Sequence, residues 1–216
     1  MGKITEQETR QLASIIEKEG FYSVKSSASF KRYLDNAIEG FRNNELFTHL
    51  SGGTFDENVV KEILLSSYSA VAETSLTYAD SPELNACAVW VPSGVFRANF
   101  RDFFSSGGNS LIKIGGPELL YRIIKYEKPI MDMKKALTNH NEWYLYNYEC
   151  KPEVDSEEMF IKMVKPVVDY AWKTGRSCYV ESSLESRISP LLKMGFHFVD
   201  KITVPKTNIT VYSLMV

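Results

Sequence analysis

The 216-residue sequence is poor in several features that would announce a function. It holds three cysteines and three histidines. Cys87, Cys150 and Cys178 are odd in number, far apart and without a CxxC, so neither a disulfide scaffold nor a zinc ribbon is expected. His49, His140 and His197 lack ligand spacing such as HxxxH, and no metal site is expected. No apolar run approaches the roughly 18 to 20 residues that span a bilayer. The polar start MGKITEQETRQ carries no signal-peptide core, and Glu6 stands where a myristoylation motif has Ser or Thr. An intracellular, most simply cytoplasmic, location is expected. Charge of one sign is lacking too. Lys plus Arg is 25 and Asp plus Glu is 27, a net −2, so broad binding to nucleic acid or an anionic membrane surface is not expected.

What is present suits a packed core: 44% hydrophobic residues and 12% aromatics. The first third reads as helical. Leu12, Ile15 and Ile16 keep helical spacing up to Gly20. A second helix is predicted over Phe30 to Arg42, with Tyr33, Leu34, Ala37, Ile38 and Phe41 on one face. Gly52, Gly53 and Asp56 make a turn and a helix start, followed by Val59, Val60, Ile63 and Leu64. From Ala70 the character changes. Residues 70–78 and 86–91 predict a hairpin around Asp80-Ser81-Pro82. Residues 95–141 predict helices broken at 105–109 and at Gly115-Gly116-Pro117, with Phe96, Phe100, Phe103, Phe104, Tyr121 and Tyr126 expected in the core.

The last third has the clearest rhythm. Trp143 to Cys150 is rich in strand formers. Asp155 or Ser156 caps the next helix, and Asp155 with Glu158 has capping-box spacing. Phe160, Met163, Val164, Val167, Val168 and Ala171 form a core-facing stripe, which Pro166 is expected to bend. A strand begins at Cys178, a short helix runs from Leu184 to Met194, and a final hairpin turns at Pro205 and Asn208. This alternation predicts an α/β sheet with covered faces.

These residues resemble a known family. Lys151-Pro152, Val167 to Ala171, Tyr179-Val180-Glu181-Ser182-Ser183 and Gly195-Phe196 occur in the order and spacing of the GNAT N-acetyltransferase superfamily. They look most like its small-molecule branch common in fungi and actinobacteria, which includes the puromycin acetyltransferases. Ala88 to Gly94 resembles that branch's "AxWxPPG" strand end. The resemblance covers residues 70–216. It implies a GNAT fold over one domain, residues 1–216: a mixed central sheet with splayed parallel strands, helices on both faces and a helical insertion around 95–140. It implies acetyl-CoA as cofactor and a small-molecule amine as partner. Tyr148, Glu149 and Cys150 would offer the backbone contact to the acyl carbonyl. Asp155, Ser156, Glu157, Glu158, Met159 and Phe160 fall on the pyrophosphate loop, and Glu181 on the site of a catalytic base.

The loop departs from the family's pattern. It should read Q/R-x-x-G-x-G/A, so that backbone N–H groups hold the diphosphate at a helix start. Residues 155–160 contain no glycine. Residues 149–158 instead carry Glu149, Glu153, Asp155, Glu157 and Glu158 against Lys151, a net −4. Two unit charges about 6 Å apart at an effective dielectric near 20 repel by roughly 3 kcal/mol. Leu191 stands in the slot of the Tyr that protonates the leaving thiolate, and Arg187 in the slot of a frequent Asn. Three readings follow: acyl transfer to a small amine with an altered CoA site, a non-catalytic binding or regulatory protein on the same fold, or a transferase using another acyl donor whose carrier avoids the pyrophosphate site.

Overall fold

The pairing of one strand, residues 142–150, organises the molecule. The computed structural model describes residues 2–42, 44–94 and 109–216, apart from the side chains at 36, 37 and 39. In chain order its elements are α1 (Glu6–Lys18), β1 (Tyr22–Ser23), α2 (Ser27–Ala37), α3 (Glu45–Leu50), α4 (Glu57–Val71), β2 (Leu76–Ala79), β3 (Ala86–Pro92), α5 (Asn109–Leu137), β4 (Glu142–Cys150), α6 (Glu157–Lys173), β5 (Ser177–Ser182), α7 (Glu185–Lys193), β6 (His197–Thr203) and β7 (Thr210–Met215). Short 3-10 turns occupy Ile38–Phe41 and Pro152–Val154.

The strands form one sheet in the order β1-β2-β3-β4-β5-β7-β6. Among the described residues only β4 and β5 are parallel, with α6 crossing between them, and every other pair is antiparallel. This is a mixed α/β sheet, as expected. β4 lies beside β3 along its length, from Pro92 opposite Trp143 to Ala86 opposite Cys150. It lies beside β5 only from Glu142↔Ser177 to Leu145↔Val180, and then the two part. The expected splay is therefore present.

A bulge sits at the parting point. Trp90 faces Leu145 and Val89 faces Asn147, which leaves Tyr146 as the extra residue. An extra residue reverses the alternation of the pleat. Trp143 and Leu145 point to the α1–α6 core before the bulge, and Cys150 returns to that core after it.

The two faces carry separate cores. Ala86, Ala88, Trp90, Trp143 and Leu145 pack under α1 and α6. Cys87, Val89 and Val91 pack under α2, α4 and α5. The six stripe residues of α6 are all buried, and α6 runs through Pro166 to Lys173. Ser156 caps it, its hydroxyl accepting from the Met159 N–H at 3.1 Å. The Asp155–Glu158 capping box does not form, because the Asp155 carboxylate is drawn into an ion pair with Arg187.

Other expectations are corrected. The predicted break at Gly115-Gly116-Pro117 is a kink inside α5, where Gly116 takes φ 67°. The second helix stops at Ala37, and a 3-10 turn continues to Phe41. Ala37's side chain, Phe96, Phe100, Phe103, Phe104 and the break at 105–108 lie outside the described residues. Tyr121 is 57% exposed rather than in the core, with the Lys125 ammonium 4.6 Å above its ring, and Tyr126 lines a cleft. No helix among the described residues is long and apolar enough to cross a membrane.

Candidate functional site

Where β4 and β5 separate, a cleft of about 240 Å³ passes between them. Phe30, Leu46, Phe47, Leu50, Tyr68 and Ile130 supply apolar wall on one face of the sheet. Phe160, Leu184 and Arg187 close it on the other. Tyr144, Tyr146, Tyr148 and Glu149 enter from β4, and Glu181 from β5. The sheet thus brings Glu181 together with Tyr148, Glu149 and Phe160.

Glu181 is the best-held polar group in the cleft. The Tyr144 hydroxyl donates to its Oε2 at 2.7 Å and the Tyr179 hydroxyl to its Oε1 at 2.8 Å. Register dictates this: Tyr144 pairs with Tyr179 across the parallel ladder, and Glu181 follows two residues later on the same face. The Tyr179 hydroxyl also meets Ser213 Oγ at 2.9 Å, with Ser213 opposite Glu181 on β7. Burial pushes the Glu181 carboxyl up, and Lys134, Tyr144 and Tyr179 pull it back. Both phenols are raised by burial and by Glu181, so they remain protonated donors.

Two further groups complete this pole. Lys134 of α5 is 8% exposed, and its Nζ lies 4.0 Å from the centre of the Tyr144 ring. Burial lowers its ammonium to about 8 against the pull of Glu181 and Glu127. Glu127 lines the cleft with its side chain open to solvent. Its carboxyl is raised by the surrounding protein and by Glu181, and Lys134 pulls it back.

The opposite end is built around Arg187. Its guanidinium pairs with Asp155 at 2.8 Å and lies 4.9 Å from the Tyr148 ring centre and 5.2 Å from that of Phe160. Tyr148 and Phe160 meet edge to face at 4.8 Å. Half-buried Glu149 is pushed up by burial to about 8, Arg187 holding it from rising further. Lys193 of α7 pairs with Glu157. Two ion pairs therefore stitch the start of α6 to α7.

The loop residues do not assemble as a diphosphate cradle. Ser156 spends its hydroxyl on the helix cap. Asp155 and Glu157 are engaged in the ion pairs, and Glu158 is exposed. Met159 is half-buried and packs on the core, and Phe160 is 2% exposed within it. Cys150 is buried on the α6 face, and burial raises its thiol to about 11. Cys87 and Cys178 are also buried and raised, so none of the three has the accessible thiolate of a nucleophile. Leu191 is fully buried. A CoA diphosphate placed here would meet carboxylates at a helix end already capped, and the residues do not fit it.

Glu142 shows that a buried acid can be purely architectural. It accepts from Ser93 Oγ at 2.6 Å and from the N–H groups of Asn139 and Asn141 at 2.9 Å, anchoring the start of β4. Among the described residues no group of three or more His, Cys, Asp or Glu side chains could hold a metal ion.

Sequence reading missed Tyr144, Tyr179, Lys134 and Glu127. The pair Tyr144 and Tyr179 had a signal, since both lie in predicted strands. Lys134 had none, because its face of α5 is fixed by packing.

No protein-family model and no curated protein matches the chain. Solved structures do. An N-acetyltransferase from Staphylococcus aureus Mu50 is 11% identical, with 87% of this chain and 96% of that one covered and a TM-score of 0.48. The Drosophila melanogaster polyamine N-acetyltransferase, which forms N-acetylagmatine, is 11% identical over 91% and 98%, with a TM-score of 0.48. An agmatine N-acetyltransferase is 11% identical over 99% and 96%, with a TM-score of 0.46.

Proposed function

We propose that the cleft recognises a small-molecule amine, on a GNAT fold whose acetyl-CoA site is altered beyond ordinary use. One observation carries this reading: Glu181 is held by two phenols at the mouth of an aromatic cleft that also contains Glu127 and Glu149. A carboxylate whose two oxygens are fixed by neutral donors keeps its charge in place for a cation. Tyr126 and Tyr146 line the same cleft, and aromatic rings attract an ammonium and its carbon chain. Arg187 answers Asp155 at the far end, so its guanidinium does not compete for the Glu181 pole.

Acyl transfer to the bound amine is the second reading, favoured by the splay. In it Glu181 accepts the proton that an ammonium must lose before its nitrogen can attack. The missing cradle and the buried Leu191 weigh against ordinary CoA use.

Calorimetric titration at pH 7 tests both. We expect 1,4-diaminobutane or phenethylamine to bind, Glu181→Gln to weaken that binding tenfold or more, and CoA to give no heat at millimolar concentration. Absence of amine binding sinks the first reading. Micromolar CoA binding restores the ordinary transferase.

A further inference from the structure

A buried cation lies against the wall of the cleft's Glu181 pole. Lys134 lies on α5 between Met133, which receives a contact from Ser213 Oγ at 3.5 Å, and exposed Lys135. Its ammonium sits over the Tyr144 ring, beside the carboxylate that the same Tyr144 holds. The groups facing it are Glu181 from β5, Tyr144 from β4, and Glu127 and Lys135 from α5. Ring face and carboxylate are the elements that would recognise an incoming ammonium. Lys134 thus occupies the features its competitor needs.

We propose that Lys134 is the resident counter-cation of Glu181, and that a cationic amine binds by replacing its charge, Lys134 releasing one proton to solvent. This rests on the amine-binding reading above. The proton balance is simple: the amine enters as R–NH₃⁺, Lys134 passes from –NH₃⁺ to –NH₂, and H⁺ leaves. Two ammonium groups beside one carboxylate repel. The buried Lys134, tied to a helix packed on the sheet, cannot take its charge into bulk water. Losing the proton is the route left to it, and burial has already loosened that proton.

Calorimetry of the full chain with 1,4-diaminobutane, in buffers of different ionisation enthalpy, reads the exchange. At pH 7 we expect release of about 0.9 proton per amine, falling to about 0.1 at pH 9, as a group titrating near 8 requires. Lys134→Arg keeps the charge but cannot deprotonate. It should lose more than half of the release and bind the amine at least tenfold more weakly, with an unchanged circular dichroism spectrum. Lys134→Met removes the competitor and should bind with little proton release. Amine binding without proton release in the wild type overturns the inference. So does Lys134→Arg retaining the wild-type release, since the proton then comes from a carboxyl or from the amine. In both cases the amine-binding reading survives. Failure of the amine to bind any of the three proteins overturns that reading and this inference together.

Discussion

Arg187 and Asp155 are joined at 2.8 Å across the end of the cleft where β4 and β5 have separated. Arg187 comes from α7 and Asp155 from the approach to α6, so the pair closes the groove between the two helices. Its guanidinium rests on Tyr148 and Phe160 and is only 14% exposed. Paired this way, the guanidinium is spent on the Asp155 carboxylate and is not offered to a diphosphate.

Asp155→Asn should therefore change cofactor binding. It removes a carboxylate and leaves Arg187 available to a phosphate. CoA affinity by calorimetry should rise tenfold or more over wild type. No change would mean that the pair does not shut this end.

Tyr179→Phe tests how Glu181 is held. The substitution leaves Glu181 Oε1 and Ser213 without their shared phenol. Urea unfolding should show a loss of about 1–2 kcal/mol, and diaminobutane binding should weaken. Unchanged stability and binding would mean that the Tyr179 phenol does not hold Glu181.

A pH effect on stability follows from α1. Arg176 grips Glu8 through two bonds of 2.9 Å. Burial pushes the Glu8 carboxyl up, but the Thr5 N–H and Arg176 together outweigh it and leave it below its ordinary value. A lowered carboxyl stabilises the fold above its unfolded value and loses that contribution as pH falls through the folded one. Solvent barely touches the pair, yet few protein atoms surround it, and screening holds its worth to about 1 kcal/mol. Glu8→Gln should cost that much at pH 7, and the difference should narrow as pH falls below the ordinary carboxylate range and the folded carboxyl is protonated. A gap that does not narrow in acid would point to packing instead.

Phe160→Ala, at a core position, should lose about 3–5 kcal/mol in chemical denaturation. Trp172→Ala, 86% exposed on the same helix, should stay within about 0.5 kcal/mol of wild type. Equal losses would mean that α6 is rotated from the orientation described.

The α6 stripe and the β2–β3 hairpin were legible because periodicity and turn residues are local properties. Tyr146 was not: a bulge depends on how many residues the partner strand presents, and WYLYNYEC carries no mark of β3's count. The acid-rich run 149–158 was read as one feature, yet packing divides it. Glu149 enters the cleft, Asp155 and Glu157 take basic partners from α7, and Glu158 stays in solvent. Arg187 was seen only as a departure from a familiar slot. Its partner lies 32 residues upstream, a distance that no spacing rule connects. Lys134 and Lys135 look alike in sequence, and only the rotation of α5 on the sheet buries one and exposes the other.

That rotation has a wider consequence. Glu181 belongs to the strand ladder, where a slip of one residue would reverse every side chain. Lys134 belongs to a connection between two neighbouring strands. Selection can therefore work on the two halves of the pole at different rates. Substitutions confined to α5 can change the charge beside Glu181 without disturbing the strand pairing that places the carboxylate.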